Sequence, residues 1–338
     1  KPTIYIAGDS TAQTYNYTKV YPQTGWGQVF ADYFNDDIII ENRAMGGRSS
    51  KSYDNDGRLD RILTEMHPGD YVFIQFGIND GAENKPERYI SVEDYKKLIT
   101  DKYIGEVEKR GGTPVLMTAN AAAWWDEENN CFMESRKDYA DPTREIAEET
   151  GCKFIDENKI VTDAWNSMDK DDVLSGYFVC EPLESKAYPS GTNDTTHMKA
   201  KGAKRVAKLI ADAIPENVPE LTKYLKGDET FTDIQGHWAE DVIKTLAEND
   251  KVSGVGDGKF NPDGTVTRAE FLKMAMDSLG IVGHAYRDGE CLDATNDDWY
   301  CYYLQGALDK DIIPKEMIEN CNVTKVTKTL AEATDDKE

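Results

Sequence analysis

Four short stretches of this chain carry residue types that can act together on one reacting group: GDSTA around Ser10, NRAMGGRSS at 42–50, GIND at 77–80 and DTTH at 194–197. Ser10 follows TIYIAG, an apolar, β-branched run that reads as a short buried strand stopped by Gly8. A serine at the C-terminal end of a central strand stands at the edge of an α/β sheet, where ligands collect. Its own N–H can face the same pocket, because the first amides of a helix have no internal acceptor. Ser10 is therefore a candidate nucleophile, with helix capping as the ordinary alternative.

DTTH supplies what such a serine needs. Asp194 and His197 lie three apart, just ahead of a predicted helix, so both can face one side and hydrogen-bond. A carboxylate on one imidazole nitrogen fixes the tautomer and stabilises the imidazolium, leaving the other nitrogen free to deprotonate a hydroxyl. Of the four histidines, His67, His237 and His284 sit in unrelated contexts, which makes His197 the candidate base. Three groups suit the resulting oxyanion: the Ser10 N–H, the Gly47 N–H and the Asn79 side-chain amide. Adjacent Gly46 and Gly47 let backbone amides approach a ligand where a Cβ would obstruct. An asparagine beyond a strand end offers its NH₂ as a donor. A flexible loop and an Asn-Asp turn are the plainer readings of those two stretches. Nothing matches GxSxG, so the usual nucleophile-elbow hydrolase is disfavoured.

The elements that must position these residues alternate. Strands are predicted over Thr3–Ala7, Asp37–Glu41, Asp70–Phe76, Thr113–Thr118 and Cys152–Asp156. The three consecutive isoleucines at 38–40 are written like a strand buried on both faces. Helices are predicted over Gly25–Phe34, Leu59–Met66, Ser91–Lys109, Pro142–Thr150 and Lys159–Met168, and over the face formed by Val206, Leu209, Ile210, Ala213 and Ile214. A polar insertion, Gly176–Asn193, precedes DTTH. Strand and helix alternating through residues 1–215 imply a parallel sheet between two helical layers, with all four stretches at one edge. Trp124 and Trp125, after the fourth strand, could stack on sugar rings; burial under their loop is the commoner role.

Composition limits the partners. The 338 residues suggest two domains, and 39 Lys plus Arg against 63 Asp plus Glu give a net charge of −24. That sign argues against nucleic acid or anionic membrane as the main partner. No run approaches the roughly 18 apolar residues of a membrane span, and a strand beginning right after Lys1 suggests a mature or trimmed form. Six cysteines without CxxC spacing make zinc an unattractive expectation and permit disulfides.

GDSTA, NRAMGGRSS, GIND and DTTH resemble the four blocks of the SGNH (GDSL) hydrolases, in that family's order, over roughly residues 1–226. The resemblance implies a flavodoxin-like three-layer α/β/α sandwich with a five-stranded parallel sheet. It also implies Ser10 as nucleophile, Gly47 and Asn79 as oxyanion donors beside the Ser10 N–H, Asp194 and His197 completing a triad, and no cofactor or metal. GDSTAQTY, GGRS, QFGINDG, YADPTREIA and DTTHMKAKGA are most similar to bacterial rhamnogalacturonan acetylesterases. For that branch the substrate would be acetylated plant cell-wall polysaccharide, cleaved through an acetyl-enzyme. TANAAAWW and the 176–193 insertion depart from the branch at the presumed cleft, leaving pectin, xylan and mannan open. The acidic balance suits a neutral glycan unless Arg48 or nearby lysines offset an anionic one.

After a charged, proline-bearing linker, residues 227–338 form a second region. Lys259, Asn261, Asp263, Gly264 and Glu270 fall on EF-hand positions, but lysine at the first ligand position repels calcium. FTDIQGHWAEDVI, VSGVGDGKFNP and VTRAEF resemble an S-layer homology repeat (230–281), with a degenerate copy at 285–333. The resemblance implies a small, mainly α-helical module that holds secreted proteins on Gram-positive cell walls by binding anionic wall polysaccharide. Trp238 and Arg268 would be the ligand contacts, with Asp233 and Glu270 structural. In the second copy Lys325 and Thr327 replace the arginine and glutamate, and Cys291, Cys301 and Cys321 leave room for one compensating disulfide. The expectation is a secreted or surface-attached carbohydrate esterase. A lipase or thioesterase of the same fold, and an inert wall-binding protein, are the competing readings. A purely structural C-terminal appendage is the plain alternative for the second region.

Overall fold

Five apolar runs pair as a parallel sheet: β1 (Thr3–Gly8), β2 (Ile39–Asn42), β3 (Tyr71–Gln75), β4 (Thr113–Met117) and β5 (Lys153–Ile155), in the order 2-1-3-4-5. The computed structural model describes residues 1–227, 231–248, 252–256, 258–287, 294–295, 297–313 and 326–329. Side chains alternate between two apolar layers. Ile4, Ile6, Phe73, Val115 and Met117 face one, and Tyr5, Ala7, Val72, Ile74 and Leu116 the other. Burial on both faces is why β1, β3 and β4 read as nearly continuous apolar runs. The first layer is closed by Trp26, Phe30 and the helix Ala200–Asn217 through Val206, Ile210 and Ile214. The second is closed by Arg58–Glu65 and Lys137–Thr150 through Leu59, Ile62, Leu63 and Ile146. The result is a three-layer α/β/α sandwich whose strand order reverses between β1 and β3. Such a reversal opens a crevice at the carboxyl ends of those strands.

Several local expectations change. The isoleucine strand is shifted toward its C-terminus and lies at the sheet edge, with Ile39 43% exposed. Apolarity alone does not say which strand is outermost. Gly25–Phe34 is not one helix: Val29 (φ −111°) divides it into a helical turn, Trp26–Val29, and a 3₁₀ turn, Phe30–Tyr33. Trp26, Phe30 and Phe34 nevertheless stay buried, ring against ring. A Cβ on Gly25 would come 2.3 Å from the Gln13 carbonyl oxygen, so only glycine fits ahead of that turn. The helix expected from Pro142 starts at Lys137, because the Tyr139 and Ala140 amides already bond back to the Arg136 carbonyl. The insertion is not wholly polar loop either: it opens with a strand, Tyr177–Cys180, in which Tyr177 and Phe178 are buried.

The chain divides into two compact units. The first comprises Lys1–Tyr17, Pro22–Val179 and Asn193–Lys226; the second comprises Thr18–Tyr21, Cys180–Thr192 and the chain from Gly227 onward. In the second unit Glu240–Glu248, Arg268–Leu279 and Cys301–Asp309 are helices, and Thr265–Thr267 pairs antiparallel with Val326–Thr329. The Cys180–Thr192 segment is bound into this unit. The Ala285 N–H donates to the Leu183 carbonyl (2.8 Å), and the Tyr302 hydroxyl donates to Glu184 (3.2 Å). His284 sits between Glu181 (2.7 Å) and Asp309 (2.6 Å). Cys291, Cys321, Lys325 and the Thr327 side chain, on which the expectations for the second copy bear, lie outside the described residues.

Candidate active site

The turn after β1 brings Ser10 to the crevice, and a further strand, β6 (Thr192–Lys199), brings His197 to meet it. Ser10 Oγ lies 2.8 Å from His197 Nε2, and His197 Nδ1 lies 2.6 Å from Asp194 Oδ2. DTTH stands just ahead of the helix Ala200–Asn217, as expected, but is itself strand, and β6 pairs antiparallel with Gln23–Thr24. In a regular strand residues three apart face opposite sides. Here Asp194 Oδ1 accepts from the Thr196 N–H (2.8 Å) and the His197 N–H (3.0 Å), folding the carboxylate back toward the imidazole.

The electrostatics follow from that geometry. Burial pushes the Asp194 carboxyl up, but the His197 ring and the two backbone donors outweigh it and hold the group down to about 2. An ionised carboxylate only accepts, so Nδ1 carries the proton and Nε2 presents its lone pair to the Ser10 hydroxyl. Burial lowers the His197 pKa. The bond and charge of Asp194, with Asp9 adding to them, outweigh burial and an opposing push from Arg136, leaving it above its ordinary value. The arrangement is a base aimed at a hydroxyl.

The loop after β2 reaches the same place. Gly46 lies against Ser10 (a Cβ on Gly46 would be 3.6 Å from Ser10 Cβ), and Gly47 has φ +72°. Among the described residues the Ser10 and Gly47 amides have no protein acceptor. Asn79 Nδ2 donates to the Arg48 carbonyl (3.0 Å), leaving its second hydrogen unassigned, while Arg88 Nη1 donates to Asn79 Oδ1 (3.4 Å). Arg48 itself turns to Asp56 (2.9 Å) and the Gly46 carbonyl (3.1 Å), so its guanidinium braces the loop. Beneath them Asp80 is fully buried. Its Oδ1 accepts from the Ser50 amide (2.9 Å) and hydroxyl (2.5 Å), and its Oδ2 from the Gly77 amide (2.9 Å). Asp80 thus ties the Gly47 loop to the Asn79 turn. Arg88 and Asp80 are absent from the sequence-based site: Asp80 acts through Ser50, 30 residues away, and Arg88 lies outside the four stretches.

Trp124 and Trp125 open a hairpin, Trp124–Asp126 with Cys131–Met133, anchored beside the base by the Ala123 N–H donating to the Thr195 carbonyl (2.8 Å). Trp125 packs edge-on against Phe132 and carries Lys170 over its ring (4.4 Å). Trp124, 37% exposed, carries the Arg136 guanidinium (4.9 Å). In the second unit Trp238 is 83% exposed and Arg268 is exposed at the start of its helix. Glu270 closes a capping box with Thr267, and Asp233 accepts from the Phe260 and Asn261 amides, so both carboxylates bond the backbone.

Residues 6–205 match the model of the GDSL-like lipase/acylhydrolase family, and residues 230–272 match the S-layer homology domain. The chain is similar to the probable rhamnogalacturonan acetylesterase YesY of Bacillus subtilis, at 37% identity over 65% of this chain and 95% of the relative. It is similar to the crystal structure of the Bacillus subtilis protein YxiM, with a TM-score of 0.53 and 28% identity, over 66% of this chain and 56% of that one. The C-terminal region is similar to part of the exoglucanase XynX of Acetivibrio thermocellus, at 41% identity over 30% of this chain and 10% of the relative.

Proposed function

The chain belongs to the GDSL-like lipase/acylhydrolase family, and on that premise we propose that it is a serine esterase removing O-acetyl groups from plant cell-wall polysaccharide. The family and the acetylesterase relative make it a carboxylic ester hydrolase. The likeness to a probable rhamnogalacturonan acetylesterase favours a pectic glycan over xylan or mannan. One observation carries the reading: the unbroken hydrogen-bonded chain from Ser10 through His197 to Asp194, beside unused N–H donors.

In this reading His197 Nε2 takes the Ser10 proton as Oγ attacks the acetyl carbonyl. The carbonyl oxygen becomes an oxyanion, held by the Ser10 and Gly47 amides and the Asn79 side chain; such a donor is worth about 10²–10³ in turnover. The intermediate collapses, the imidazolium returns its proton to the departing sugar oxygen, and an acetyl ester remains on Ser10. Water, deprotonated by the same imidazole, then releases acetate and restores the serine. The S-layer homology domain supports attachment to a Gram-positive cell surface, through anionic wall polysaccharide held by Trp238 and Arg268.

The test is acetate release from acetylated pectin, xylan and glucomannan, with 4-nitrophenyl acetate as the small ester. Native protein is expected to release acetate, and Ser10→Ala to lose turnover on every substrate. Undiminished turnover in Ser10→Ala overturns the mechanism.

A further inference from the structure

Among the described residues Arg136 has no counter-ion, in a chain carrying 63 acidic residues against 39 basic ones. Among the described residues it makes no ion pair, and its Nε is buried with no hydrogen-bond partner. An orphaned buried donor is costly and is uncommon in native interiors. The backbone is also strained: Arg136 has φ +57° and ψ +34°, a left-handed conformation that long side chains rarely adopt. Neighbouring bonds hold it there. Buried Asn158 accepts from the Ser135 N–H (3.1 Å) and donates to the Ser135 carbonyl (3.0 Å), while the Arg136 carbonyl accepts the Tyr139 and Ala140 amides of the helix beyond. Strain fixed by surroundings in this way gathers at ligand clamps.

The side chain is fixed as firmly as the backbone. Its guanidinium lies on Trp124, 4.9 Å from the ring centroid, and Trp124 follows Ala123, which bonds to the Asp194–His197 stretch. The cation is thus oriented in advance, stacked on an aromatic face, and close enough to the base for its charge to be felt at His197. A planar guanidinium with unused donors matches a carboxylate in two-pronged geometry.

We propose that Arg136, backed by Trp124, is a specificity-determining residue that binds a carboxylate of the substrate, such as the acid group of a uronic-acid unit at or next to the acetylated sugar. This rests on the acetylesterase reading for its substrate. It gives the acidic molecule a local means of accepting an acidic glycan, a role Arg48 does not fill because it is committed to Asp56.

The experiment compares kcat/KM for acetylated oligogalacturonides with that for acetylated xylo-oligosaccharides in native protein, Arg136→Gln and Arg136→Lys. The ratio of the two values is expected to fall about 10- to 100-fold in Arg136→Gln, mainly through KM, with partial recovery in Arg136→Lys. Equal losses on both substrates, or none, overturn the proposal. A second arm needs no hydrolysis: calorimetric binding of trigalacturonate to Ser10→Ala and to Ser10→Ala with Arg136→Gln. Binding that weakens at least tenfold on losing Arg136 sustains the inference even if the ester chemistry fails; equal affinity ends it while leaving the esterase reading intact.

Discussion

At the scale of single residues, the proposed chemistry depends on which His197 nitrogen holds its proton. Asp194 keeps that proton on Nδ1, and its charge raises the imidazole pKa despite burial. In the proposed mechanism the base works only when neutral, so kcat/KM is expected to rise with pH through an inflection above the ordinary histidine value of 6.5. Asp194→Asn removes the charge and permits the wrong tautomer. Its turnover is expected to fall about 10³–10⁴-fold, and its inflection to move to lower pH, both read from pH–rate profiles with 4-nitrophenyl acetate. An inflection that does not move would show that Asp194 does not govern this imidazole. The local DTTH spacing made Asp194 and His197 legible in the sequence, as GDST did Ser10. Arg136 left no such trace: its interest lies in a positive φ, a buried unpaired nitrogen and a tryptophan twelve residues earlier, none of which is a sequence pattern.

At the scale of elements, the order 2-1-3-4-5 sets the turns after β1, β2 and β3 along one edge, and Asp80 joins two of them. The alternation of strands and helices was readable because the central strands β1, β3 and β4 are apolar on both faces. The edge position of Ile39 was not, because it depends on strand order. The Asp80–Ser50 link was likewise invisible, since it spans 30 residues. Burial is the largest influence on Asp80 and outweighs its three donors, pushing the group up to about 6. Below about pH 4 it is protonated in both folded and unfolded chains. Between about 4 and 6 the folded state keeps a proton that the unfolded chain has released. Its contribution to stability is therefore lost as pH rises through that window, by at most about 3 kcal/mol. Asp80→Asn is expected to flatten that window in urea unfolding. A carboxamide also cannot accept all three donors, so kcat is expected to fall about 10- to 100-fold while KM changes little. A variant with native kcat would show that the two turns hold their places without this tie.

At the scale of the whole molecule, one stretch of the hydrolase sequence belongs to the second unit. Cys180–Thr192 lies in the chain immediately before Asn193 and Asp194, yet its bonds run to Ala285, His284, Tyr302 and Lys310. His284 is buried between two carboxylates. Burial works against both acids, yet Lys310 and His284 leave Glu181 lowered, and Arg287 and His284 hold Asp309 down to about 2. The Glu181 side chain is 42% exposed, so losing these partners leaves it to water rather than stranding a buried charge; what is lost is the anchoring of the 180–192 segment. A chain ended at Lys226 keeps Glu181, Leu183 and Glu184 but loses every one of these partners. It is expected to melt lower than the full chain and to be cut by protease first within 180–192. Because Asp194 follows that stretch by two residues, its kcat on 4-nitrophenyl acetate is also expected to fall. The same pair of proteins separates anchoring from bracing. Retention on purified wall polysaccharide that disappears in the shortened chain and weakens in Arg268→Ala assigns the second unit an anchoring role. Loss of heat resistance without any retention by the full chain leaves it a brace. Identical melting and identical cleavage sites would show that the 180–192 bonds contribute nothing to holding the hydrolase together.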